Sequence, residues 1–201
     1  MPVKRYNFKF MKKSLGGVLL LLMLSVDLLY GQIKQADSIF HYKPKPFTPP
    51  VEAVIKGMIY SPAQVFIASD IYGHKHNLAS YRGKYVLMWF LDKDCVLCEE
   101  GLGMLDSIKT KYGDRIVVFA FFNDSKQQLL DRLKGKKPLY YPMYNSKIFG
   151  EMMYAGSLSY PRMFLIDRQG FIIKILPAEF FKSNPDYKKS VIQILDEATS
   201  K

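Results

Sequence analysis

The chain has 201 residues, 49% of them hydrophobic, with 14 Tyr, 14 Phe and no low-complexity block, which is enough to bury one well-packed core. Its formal charge is +11, but the first 31 residues carry five of the 29 basic groups and one of the 18 acidic ones, leaving +7 on the rest. The short Lys134, Lys136, Lys137 cluster reads as a solvated loop rather than a recognition face, and no nucleic-acid partner is expected.

The chain opens with Lys4, Arg5, Lys9, Lys12 and Lys13 ahead of an apolar run, Leu15 to Val26. This is the layout of a secretory leader. Twelve residues fall short of the roughly 18 to 20 that cross a bilayer comfortably, which favours a cleaved signal peptide with a mature start at Gln32. The alternative is a retained membrane anchor that also enlists Leu28, Leu29 and Tyr30. No cysteine lies in or just after the run, which argues against a lipid anchor. Under either reading residues 1–31 export the body of the protein from the cytoplasm, to the periplasm or as a membrane-tethered form, where a cysteine pair can persist as a disulfide.

From His41 to Pro50 four prolines fall within seven residues, so residues 32–60 read as an extended arm or linker and residues 61–201 as the folded domain. Two short strand-like pieces flank Asp70-Ile71-Tyr72-Gly73, a turn that makes a leading hairpin. His74 and His76 on this hairpin read as solvent-facing. The uninterrupted apolar run Tyr85 to Leu91 predicts a strand covered on both faces. After Cys95, Leu97, Leu102, Leu105, Ile108 and Tyr112 recur at near-helical spacing up to Gly113, predicting a helix that ends there. Gly101 and Gly103 are expected to loosen it, at about 1 kcal/mol each. A second buried strand follows at residues 115–122, and Ser125 with Gln128 forms a capping box for the next helix, which Gly135 can end. After an irregular Tyr- and Met-rich stretch, "MFLID" and "FIIKIL" are joined by a tight turn into antiparallel neighbours. A last helix starts at Pro185, with Tyr187, Val191, Ile194 and Leu195 on one side. This order gives an α/β protein with a central mixed sheet, helices on both faces and an N-terminal β-hairpin extension.

Cys95 and Cys98 fall where the buried strand meets the first turn of the helix. Unpaired amides and the positive end of the helix dipole favour a thiolate at the first cysteine. Cys95 is then the nucleophile, and Cys98, one turn on, resolves the mixed disulfide. A structural disulfide is the alternative. A metal site lacks ligands, because the only histidines, His41, His74 and His76, all precede the pair; neither metal nor cofactor is expected. A peroxidase of the peroxiredoxin kind lacks its characteristic residues before Cys95.

From about Ser61 to Leu195 the chain resembles the thioredoxin-like, TlpA-type extracytoplasmic thiol–disulfide oxidoreductases. Pro62, Asp70, Gly73, Leu78, Gly83-Lys84 and Val86-Leu87 follow the order of that family's hairpin and first core strand. "YPRMFLIDRQGFI" resembles its cis-proline loop and the strand and turn after it. The resemblance implies a thioredoxin-like fold and disulfide exchange with protein thiols or disulfides of the cell envelope, served by a further redox partner. It also implies that Pro161 lies against the cysteine pair and that Tyr160 offers backbone groups to a bound polypeptide. The chain departs from the family at Asp94, where Trp is common, and at Val96-Leu97, where Gly-Pro is common, so no redox poise is inherited. Lys93 should favour the Cys95 thiolate, and Asp94, Glu99 and Glu100 should disfavour it. Trp89 stands where thioredoxins carry a proton-transferring acid, leaving Glu99, Glu100 or water as acceptor. These departures keep a second function open, a binding module whose cysteines form only a structural bond.

Overall fold

The computed structural model describes residues 50–154 and 159–200. The proposed leader and the arm up to residue 49 lie outside the described residues. The one part of the arm that is described departs from the expectation, because Val51–Met58 is a helix (α1) and not extended chain. Val51, Val54, Ile55 and Met58 recur at helical spacing and are half-buried against the core, a stripe that the neighbouring prolines masked.

Strands β1 (Ile67–Ser69) and β2 (Lys75–Asn77) pair antiparallel as the expected hairpin. The central sheet holds β3 (Tyr85–Leu91), β4 (Ile116–Phe122), β5 (Tyr141–Met143), β6 (Arg162–Ile166) and β7 (Ile172–Leu176), in the order β5-β4-β3-β6-β7. β3, β4 and β5 run parallel, and β6 and β7 antiparallel to their neighbours. β3 is in the middle, which is why its sequence is apolar without alternation: Leu87, Trp89 and Leu91 face one core and Val86, Met88 and Phe90 the other.

Helices α2 (Val96–Tyr112), α3 (Lys126–Arg132), α5 (Ala178–Ser183) and α6 (Tyr187–Thr199) serve the first core. α1, the hairpin and α4 (Lys147–Met153) cover the second, where Phe66 meets Phe119, Phe121 and Phe149 edge-on at 5.3–5.5 Å. Ser125 and Gln128 form the full reciprocal capping box at the start of α3. The irregular stretch after Gly135 contains β5 and α4, both too short to show a period.

α2 runs unbroken for 17 residues across both glycines. Gly101 is the point where the helix descends onto Trp89: a Cβ built there would lie 1.7 Å from the indole Cη2. Trp89 is fully buried and stacks on Phe181 at 5.9 Å. The indole that replaces the usual acid and the glycine above it are thus a size-matched pair.

His76 is a second correction. Only His74 faces solvent; His76 is 4% exposed and lies 4.2 Å, ring to ring, from Tyr141. His74 belongs to the turn, so strand alternation does not couple it to His76, which points inward from β2. Both imidazoles meet the fully buried Asp70: His74 Nδ1 at 2.9 Å and His76 Nε2 at 3.2 Å from Oδ2, while the Tyr72 and His74 amides donate to Oδ1. Burial pushes the Asp70 pKa up, but the hydrogen bonds from His74 and His76 outweigh it and the net shift is down. A carboxyl depressed on folding adds stability above its unfolded pKa of about 3.9 and loses it as pH falls through the lower folded value. Chemical unfolding at stepped pH should therefore show a decline below about pH 4 that is shallower in Asp70→Asn.

Candidate active site

β3 ends at Leu91, and Asp92 to Asp94 carry the chain to Cys95, the N-cap of α2. The Cys98 amide donates to Cys95 Sγ at 3.2 Å and to the Cys95 carbonyl at 3.0 Å. The first turn of the helix thus closes on the pair itself. Cys95 and Cys98 are joined as a disulfide with Cα atoms 5.2 Å apart. Cys98 is fully buried and Cys95 half-buried, so one sulfur faces outward and the other the core.

The Tyr160–Pro161 peptide is cis. Pro161 and Tyr160 share an open groove of about 480 Å³ with Asp92, Asp94, Cys95, Val96, Leu97, Ser159 and Lys182. Four of the eight residues singled out from sequence, Asp94, Cys95, Tyr160 and Pro161, thus line one surface. Cys98 lies beneath it, bonded to Cys95. Lys93, Glu99 and Glu100 are not in the lining. Glu99 is paired with Arg132, which also holds Asp124 at 2.8 Å, so it is already committed as an acceptor. Glu100 turns toward α6 instead, lining a separate groove with Lys188 and Lys189.

Burial pushes the Asp124 pKa up, and the charges of Asp92 and Asp94 add to the rise. The three carboxylates therefore feel one another at the ends of β3 and β4. Asp92 is held there by the Lys93 amide at 2.9 Å and the Asn123 side chain at 3.2 Å.

Arg132, Lys182 and Arg162 are neighbours of the site that sequence reading missed. Lys182 sits on α5, whose six residues are too few for a period. Arg162 directly follows Pro161 and is fully buried inside a strand, where a cation is unexpected. Its Nη2 donates to the Gly150 carbonyl at 2.8 Å, and its guanidinium lies 4.5 Å from the Tyr160 ring centre. That arrangement braces the proline loop from the opposite face of the sheet. The start of α2 is held too, through Trp89, Phe181 and Tyr187, whose hydroxyl donates to the Leu97 carbonyl at 3.4 Å.

No family profile matches the chain. The thiol-disulfide oxidoreductase ResA of Geobacillus thermodenitrificans is 26% identical over 125 residues, covering 62% of this chain and 72% of the relative. Among solved structures, the pneumococcal exposed lipoprotein thioredoxin Etrx1 from Streptococcus pneumoniae matches with a TM-score of 0.55 at 25% identity, over 67% of this chain and 99% of that one. The thioredoxin domain of a thiol-disulfide oxidoreductase from Bacteroides vulgatus shares the fold at 17% identity and a TM-score of 0.52, over 64% and 96% of the two chains.

Fold, cysteine pair and cis-proline loop together define a thioredoxin-like protein. Within that superfamily the chain is similar in sequence to thiol–disulfide oxidoreductases such as ResA and in structure to an exposed lipoprotein thioredoxin.

Proposed function

We propose that the chain exchanges disulfides with protein partners outside the cytoplasm through Cys95 and Cys98. The carrying observation is that the more exposed sulfur caps α2 and opens on the same groove as Pro161 and Tyr160. In the reduced protein a Cys95 thiolate attacks one sulfur of a partner disulfide. That S–S bond breaks, a Cys95–partner bond forms, and the partner's other sulfur leaves as a thiolate and takes up a proton. Cys98, deprotonated, then attacks Cys95 Sγ, forming the Cys95–Cys98 bond and releasing the partner's second thiolate. The partner gains two electrons and the pair loses two. A dithiol protein of the envelope restores the pair, and the same steps run backward when the partner is the dithiol. Tyr160 and Pro161 present the backbone edge on which the partner segment lies.

A binding module with an inert disulfide is the second reading, favoured by the full burial of Cys98 and by Trp89 in place of an acid. Location outside the cytoplasm rests on the leader-like start of the sequence and on the relatives; among the described residues no helix is long and apolar enough to cross a membrane. The reading is tested by incubating Cys98→Ser with an oxidised protein substrate. A covalent adduct that dithiothreitol releases, and that Cys95→Ser does not form, supports exchange. No adduct in either variant would favour the binding module.

A further inference from the structure

Residues 92–100 carry four acidic groups and one basic one, in a chain whose overall charge is +11. Two of those acids, Asp92 and Asp94, line the groove beside Cys95, with Lys182 its one basic lining residue. The nearby guanidinium of Arg132 is taken by Glu99 and Asp124. Among the described residues neither Asp92 nor Asp94 has an ion-pair partner, although Asp92 is fixed by two hydrogen bonds. The remaining lining is largely apolar: Val96, Leu97, Tyr160 and Pro161, with the Val96 side chain reaching into solvent at 71% exposure.

Two carboxylates without ion-pair partners, that of Asp92 held by hydrogen bonds, lie beside a reactive sulfur and act on any partner segment that reaches it. At the groove they lie within a Debye length of the partner's flanking side chains, about 8 Å at physiological salt. Like charges so placed slow encounter and opposite charges speed it, an effect on rate more than on final affinity. We infer that the groove selects partner polypeptides whose reactive cysteine is flanked by Lys or Arg together with an apolar residue, Asp92 and Asp94 reading the charge and Val96 the apolar side chain. This inference rests on the exchange reading and names the substrate class of that same site.

The test uses the full chain and three peptide disulfides that differ only beside the cysteine, carrying Arg, Ser or Glu. At low ionic strength kcat/KM should favour the Arg peptide over the Glu peptide by about tenfold. The ratio should fall toward one near 1 M salt, where the Debye length is about 3 Å, and in the doubly substituted Asp92→Asn, Asp94→Asn protein. Equal turnover of all three peptides, or a preference for Glu, would overturn the inference and leave the exchange reading standing. A preference for Arg that survives the double substitution would overturn the assignment to these two residues. Turnover of none of the three would remove the exchange reading, and the inference with it.

Discussion

Cys95→Ser should abolish catalysed disulfide exchange, lowering turnover of a protein disulfide by about a thousandfold or more, to the background set by small thiols. The reason is geometric. Cys98 is fully buried under the helix and Cys95 alone reaches the groove, so removing the outer sulfur leaves no nucleophile in contact with a partner. Cys98→Ser should behave differently. It keeps the attacking sulfur and loses the resolving one, so a first bond forms and persists, and single-turnover kinetics should show a burst without steady-state turnover. The Cys95→Ser loss is measured in an assay of protein-disulfide reduction with an excess of dithiol, and the Cys98→Ser burst with pre-reduced protein and no added dithiol. If Cys95→Ser retained more than a few per cent of the rate, attack through Cys95 would be wrong.

The largest stability effects are expected at two glycines of the same helix, with opposite signs. Gly101→Ala would place a methyl 1.7 Å from Cη2 and 2.6 Å from Cζ3 of Trp89. The indole is pinned between α2 and the ring of Phe181, so relief requires moving the helix or the ring. Overpacking of this kind costs about 1–3 kcal/mol or more, against a helix-propensity gain of about 1 kcal/mol. The net expectation is a loss of about 2 kcal/mol. Gly103 has nothing within 4 Å of a built Cβ, so Gly103→Ala should gain about 0.5–1 kcal/mol. Urea midpoints of the two variants check this directly. Pairing Gly101→Ala with Trp89→Phe should recover part of the loss, because the smaller ring leaves the space the methyl needs; no recovery would mean that the strain lies in the helix backbone.

Much of this architecture was legible in the sequence because its signals are strong and local. β3 and β4 are continuous apolar runs with no competing period, Ser125 and Gln128 mark a helix start by side-chain chemistry, and the Asp167 to Gly170 turn joins two strands of matching length. The cis-proline loop was found through family resemblance, since nothing in composition or spacing marks one X–Pro bond as cis. Three features were not legible. α1 was hidden because its apolar stripe follows a proline-rich stretch that reads as extended chain. His76 was misplaced because two histidines two apart look like one face of a strand, whereas the turn ends between them. Gly101 read as a helix weakness, because its partner Trp89 is twelve positions earlier and only the folded chain brings the two into contact. At the site, Cys95 and Asp94 could be placed together from their adjacency. Lys182 could not, because it reaches the groove through a six-residue helix on the far side of β7 in sequence.

The reduction potential of Cys95–Cys98 tests the central claim most directly, measured by equilibrating the full chain against defined thiol–disulfide buffers and trapping free thiols. Exchange chemistry predicts a value between about −270 and −120 mV, with the position in that range showing whether the protein reduces or oxidises its partners. A value below about −300 mV, with a Cys95 that no thiol reagent reaches after mild reduction, would show a structural bond and contradict the account.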